Sequence, residues 1–85
     1  MEEEKLGVVT DYFSKPGVAA MEITEGVLKI GDRIHIKGHT TDFEETVSSM
    51  QVEHSAVEEA KAGDLVGIKV SEKARPNDQV YKIIE

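Results

Sequence analysis

A chain of 85 residues with a formal net charge of -7 and no cysteine is long enough for one domain and no more. A domain of this size buries roughly 60–65% of its unfolded surface, which leaves little core from which to carve a deep catalytic pocket. Disulfide and thiolate chemistry are excluded, and the acidic balance opposes long-range attraction to a polyanion.

The first five residues, Met1-Glu2-Glu3-Glu4-Lys5, read as a disordered acidic tail. They lack the basic start and apolar stretch of a secretory signal. No apolar run approaches the ~20 residues that span a bilayer. A soluble, cytoplasmic chain with no membrane contact is expected. Beyond the tail, short apolar runs alternate with turn residues, the pattern of an all-β domain. Residues 6–13 form the first run, closed by Ser14-Lys15-Pro16-Gly17, a turn sequence. Residues 18–23 form the second, closed by Thr24-Glu25-Gly26. Residues 27–32 then bend into a third strand, Arg33-Ile34-His35-Ile36-Lys37. Its strict alternation places Ile34 and Ile36 on one face and Arg33, His35 and Lys37 on the other.

Gly38 ends that strand, and residues 39–42 read as loop. Residues 43–52 read as one long strand anchored by Phe43, Val47 and Met50, with a bulge because the anchors depart from a spacing of two. Residues 56–62 are too short for a lone helix and read as a strand and turn ending at Gly63-Asp64. Residues 65–70 form the next strand, with Val66, Ile68 and Val70 on one face. A loop over 71–78 leads to a last strand over 79–84. The sum is a single all-β domain over 1–85, a small closed β-barrel of six or seven mostly antiparallel strands. Closure would remove the exposed edges of a small open sheet. No internal repeat or linker interrupts it.

Val9-Thr10-Asp11-Tyr12-Phe13-Ser14-Lys15-Pro16-Gly17 resembles the opening strand and Pro-Gly turn of the second domain of elongation factor Tu and its relatives. Residues 25–34, with Gly26, Lys29, Gly31 and Asp32, are similar to that domain's approach to its third strand. Ala60-Lys61-Ala62-Gly63-Asp64-Leu65-Val66-Gly67-Ile68 resembles its late A-G-D/E-x-V-G segment, and residues 75–80 its last loop and strand. The likeness covers residues 7–84. It implies a translation-factor second-domain barrel with a binding role.

Departures from that family bear on function. The Gly26-to-Gly31 spacing mimics the start of a phosphate loop, but Asp32-Arg33 stand where Lys-Ser/Thr is needed, so GTP is not an expected ligand. The family's Gly-Arg-Gly stretch, part of its pocket for the terminal adenosine of aminoacyl-tRNA, is replaced by Val18-Ala19-Ala20-Met21. Asp64 matches the acidic position of that pocket. Residues 38–43 and 50–54 look closer to the barrel on the C-terminal side of collagenase-like peptidase family proteins, a family tied to RNA modification as well as proteolysis. This second likeness implies a free-standing accessory barrel whose chemistry lies in another domain.

The candidate metal ligands are His35, His39 and His54, with Asp42 or Glu53 nearby. Their spacing matches no site signature, and neither metal nor cofactor is expected. Ser55 adjoins His54, but neighbours on a strand point to opposite faces and cannot act as nucleophile and base. With no nucleophile elbow either, the chain is read as a non-enzyme. Arg33, His35 and Lys37, spaced ~7 Å apart along a strand, make a local basic stripe that Lys29 or Lys69 joins if strand order allows. Together with Asp64 they are the candidate contacts for RNA, a ribonucleoprotein or a protein. The rings of Tyr12 and Phe13 face opposite ways, one toward the core and one outward where a base could stack. The leading expectation is a non-catalytic binding module of translation or RNA metabolism. The alternative is a docking subunit for a separately encoded catalytic protein such as a collagenase-like peptidase.

Overall fold

The computed structural model describes residues 2–84 and contains the expected strands, broken more often than the pattern suggested. In chain order they are β1 (Glu2–Phe13), β2 (Val18–Ile23), β3 (Val27–Lys29), β4 (Arg33–Lys37), β5 (Asp42–Thr46), β6 (Met50–Val52), β7 (Ser55–Ala56), β8 (Glu59–Lys61), β9 (Leu65–Lys69) and β10 (Gln79–Ile84). These ten replace the expected six or seven. One eight-stranded sheet runs β5-β4-β10-β1-β2-β9-β6-β7, and β3 pairs separately with β8. All the ladders are antiparallel. Among the described residues the end strands β5 and β7 are not hydrogen-bonded to each other, so the expected closure by a continuous ladder is not seen. The sheet curls nonetheless, because apolar side chains from every strand but β7 meet in one buried cluster. Ile34 and Ile36 enter that cluster fully buried, as the alternation of β4 requires.

Two stretches depart from the sequence pattern. Residues 2–5, expected as a disordered tail, extend β1 and pair with β10 from Ile84 back to Tyr81; Met1 lies outside the described residues. Their partner strand is at the far end of the chain, so nothing local announces the pairing. Residues 43–52 do not form one strand. β5 pairs with β4, β6 pairs with β9, and Val47 leaves the ladder between them.

Turns hold the places where ladders stop. Lys29-Ile30-Gly31-Asp32, Lys61-Ala62-Gly63-Asp64 and Arg75-Pro76-Asn77-Asp78 share one hydrogen-bonding scheme. The aspartate N–H donates to the carbonyl of the first residue at 3.1, 3.0 and 3.1 Å. The first residue's N–H donates back to the aspartate carboxylate at 2.9, 3.0 and 2.8 Å. The third residue has positive φ, 95° at Gly31, 99° at Gly63 and 76° at Asn77, which glycine adopts freely and asparagine tolerates. Each turn also exchanges two backbone hydrogen bonds with one core residue. Gly31 and Asp32 pair with Val47, Gly63 and Asp64 with Ile23, and Asn77 and Asp78 with Val9, all at 2.8–2.9 Å. Buried backbone groups thereby find partners without a further strand.

Candidate binding faces

β4 turns Arg33, His35 and Lys37 outward together, as the sequence pattern required. Each approaches acidic neighbours differently. Arg33 Nη2 lies 2.6 Å from Glu44 Oε1 on β5. His35 Nδ1 lies 2.8 Å from Glu3 Oε2 on β1, and its Nε2 is hydrogen-bonded to Asp42 on β5. The Asp42 carboxylate holds the imidazole above its ordinary pKa; partial burial opposes this and Glu3 adds to it. The same contact, with the charge of Lys37, holds Asp42 below the usual carboxylate value. Tyr81 lies directly across from His35 on β10 with ring centroids 6.4 Å apart, and Lys5 sits 5.8 Å from the Tyr81 ring centre. The stripe is therefore a mosaic of both signs rather than a bare cationic strip. Among the described residues Lys37 is the member of the trio without an ion pair.

The other candidate residues fall elsewhere. Lys29 and Lys69 lie on β3 and β9, neither of which borders β4, and do not join the stripe. Asp64 lies in the turn before β9, a strand separated from β4 by β10, β1 and β2 in the sheet order, and its carboxylate holds the N–H of Lys61. His39 lies in the β4–β5 turn and His54 in the β6–β7 turn. Among the described residues no three His, Asp or Glu side chains gather as metal ligands.

A different face lies over β2, β9 and β6. Its outward residues on β2 are Val18, Ala20 and Glu22, and opposite them on β9 stand Lys69, Gly67 and Leu65. Phe13 of β1 faces Val18, and Gln51 of β6 faces Gly67. Ala20 and Gly67 carry almost no side chain, so the surface sinks between them. The result is an open groove of about 380 Å³ walled by Phe13, Pro16, Val18 and Leu65. Phe13 is 49% exposed and Leu65 61%, both large apolar side chains with no cover of their own. Tyr12 packs against the core instead, so one ring of the pair is in and one is out.

The lip of the groove carries Gln51, Glu53 and His54. Glu53 and His54 form the two-residue turn between β6 and β7, with φ of 52° and 65°. That turn type favours Asn-Gly, and non-glycine residues there store about 1 kcal/mol each. A second depression, lined by Val52, Glu53, Gly63, Asp64 and Leu65, adjoins the first through Glu53 and Leu65. Sequence reasoning missed this face. The available signal was Leu65, an apolar residue at an outward position of a strand whose inward set begins at Val66.

Among the described residues no helix is long and apolar enough to cross a membrane. Residues 17–81 match the elongation factor Tu domain 2 family. The chain is 44% identical over 82 residues to an uncharacterized protease of Methanocaldococcus jannaschii, covering 95% of this chain and 20% of that protein. It is 44% identical over 72 residues to a collagenase of Porphyromonas gingivalis, covering 84% of this chain and 20% of that one. The chain thus spans about a fifth of the length of the curated relatives it matches. The C-terminal domain of a Geobacillus thermoleovorans protein described as a U32 peptidase has the same fold. It superposes with a TM-score of 0.87 at 20% identity, covering 95% of this chain and 93% of that one. Its selenomethionine variant gives 0.84 at 20% identity, covering 91% and 96%. Both resemblances read from the sequence are met.

Proposed function

This chain belongs to the elongation factor Tu domain 2 family, and from that premise we propose that it is a non-catalytic binding module that docks onto a protein partner carrying the chemistry. The observation behind this reading is the contrast between its faces. Two of the three stripe residues, Arg33 and His35, are answered by the chain's own carboxylates, while an apolar groove with Phe13 and Leu65 at its walls stays uncovered. In the curated relatives the matching stretch is 20% of a longer protein named protease or collagenase. The proposed partner is a catalytic unit of that collagenase-like kind.

A second reading, contact with RNA, draws on the family's link with translation. In it Arg33, His35 and Lys37 would meet phosphates, displacing the carboxylates of Glu3, Asp42 and Glu44 that now answer two of them. Capture from native lysate with and without RNase separates the two readings, using the wild-type chain and Arg33→Glu with Lys37→Glu. Docking predicts a co-purifying catalytic protein that survives RNase and is retained by the double variant. Capture of tRNA or ribosomal components that vanish with RNase, weaken steeply with salt and fail with the double variant would overturn it in favour of RNA.

A further inference from the structure

We propose that the groove between Phe13 and Leu65 receives a polypeptide segment of the partner in which an apolar side chain stands beside lysine or arginine. This rests on the docking reading above and names the chemistry of what docks. The floor, Ala20 against Gly67, and the walls, Phe13, Val18 and Leu65, offer apolar contact to an inserted side chain. The volume of about 380 Å³ is at the small end of the roughly 300–1,000 Å³ typical of ligand pockets. That suits one anchoring side chain rather than a folded surface, and such buried anchors dominate binding at interfaces.

Charge selects what flanks the anchor. Glu22 faces Leu65 across the β2–β9 ladder. Glu53 stands on the lip, and Asp64 lines the adjoining depression. Among the described residues none of these three forms an ion pair, whereas Glu3, Asp42 and Glu44 of the other face all do. The Leu65 end of the groove thus gathers three carboxylates that are outside any ion pair among the described residues, on a chain of net charge -7. It attracts a flanking lysine or arginine and repels phosphate or carboxylate. The strained Glu53-His54 turn holds part of this rim over the groove, and strain of that kind persists where position matters more than local stability.

The test is a nuclear magnetic resonance titration of the isotopically labelled chain with synthetic peptides at low salt. The probe is a short peptide with a central leucine flanked by lysines. The controls carry glutamate flanks, a central serine, or are replaced by single-stranded oligoadenylate RNA. Shifts are expected at Phe13, Ala20, Glu53, His54, Leu65 and Gly67 with the first peptide. Affinity should fall about tenfold, equal to about 1.4 kcal/mol, with either peptide control and with Ala20→Phe, which fills the floor. Leu65→Ser removes a wall at an exposed position and should weaken binding similarly if Ala20→Phe misfolds. No shifts at millimolar peptide, equal affinity for glutamate flanks, or preferential RNA binding in the groove would each overturn the assignment. Capture of the catalytic partner by Ala20→Phe as strongly as by wild type would also overturn it while leaving the docking reading intact. Failure of the wild-type chain to capture any protein would remove the docking reading, and the groove assignment with it.

Discussion

The outward surface over β4, β10 and β1 and the one over β2, β9 and β6 are built by the same alternation of side chains and end in opposite states. On the first, Arg33 meets Glu44, and His35 is held between Glu3 and Asp42 with Tyr81 alongside. On the second, Ala20 faces Gly67, and Phe13 and Leu65 stand uncovered on either side. Alternation decides which residues point outward. Cross-strand partners then decide whether that surface is satisfied by its own chain or left for another molecule.

The most severe way to break the comparison is at β1, the strand linking both faces. Gly7 sits at the irregularity in the β1–β10 ladder, and a Cβ there would collide with the carbonyl of Glu22. Because that neighbour is backbone, little can yield. Gly7→Val is expected to lose about 3 kcal/mol, measured by urea unfolding, and both faces with it. A loss below about 1 kcal/mol would mean that β1 and β2 adjust locally and that the two faces are independent.

The shared turn design gives a finer comparison. Asp78 sits against Gly38 at the end of β4 and is 5% exposed, whereas Asp64 beside the groove is only half-buried. Asp78→Ala strands the part-buried N–H of Arg75 and is expected to cost about 2 kcal/mol. Asp64→Ala frees the N–H of Lys61, which water can reach, and should cost about 0.5 kcal/mol. Calorimetric melting of both variants checks this. Equal losses would show that burial does not distinguish the turns.

The smallest effect concerns pH. The folded pKa of His35 is raised above its ordinary 6.5, so its bound proton stabilises the fold. That contribution is fully present below about 6.5 and is lost as pH rises through the raised folded value. Asp42 behaves oppositely: its pKa is lowered from 3.8, so its contribution is present above that value and disappears as pH falls through the depressed one. The carboxylates around His35 are exposed, which limits its share to about 0.5 kcal/mol. Amide protection factors at residues 2–5 and along β5 should drop as pH rises past the His35 titration, while those at Leu65 and Gly67 stay constant. His35→Gln should abolish the response. Constant protection in the wild-type chain would remove His35 from this role.

Much of the molecule was legible along the chain because its determinants are local. The period of two in Arg33–Lys37 and the inward set Val66 and Ile68 needed only neighbouring residues to be read. Two of the three matched turns announce themselves as Lys-x-Gly-Asp, with glycine where φ must be positive. The third, Arg-Pro-Asn-Asp, shares only the aspartate and the φ. The candidate contact residues were legible in position but not in state. Arg33, His35 and Lys37 do share a face, but Glu3 reaches His35 from 32 positions away in the chain. What only the tertiary structure decided is what depends on such distant pairings. These are the break at Val47, the ordering of residues 2–5 against β10, the acidic partners of the stripe and the meeting of Ala20 with Gly67. By itself the sequence determined which residues face inward, because that follows from the backbone's own geometry. Which outward residues meet one another, and where a groove opens, was decided by strand order, which no local pattern encodes.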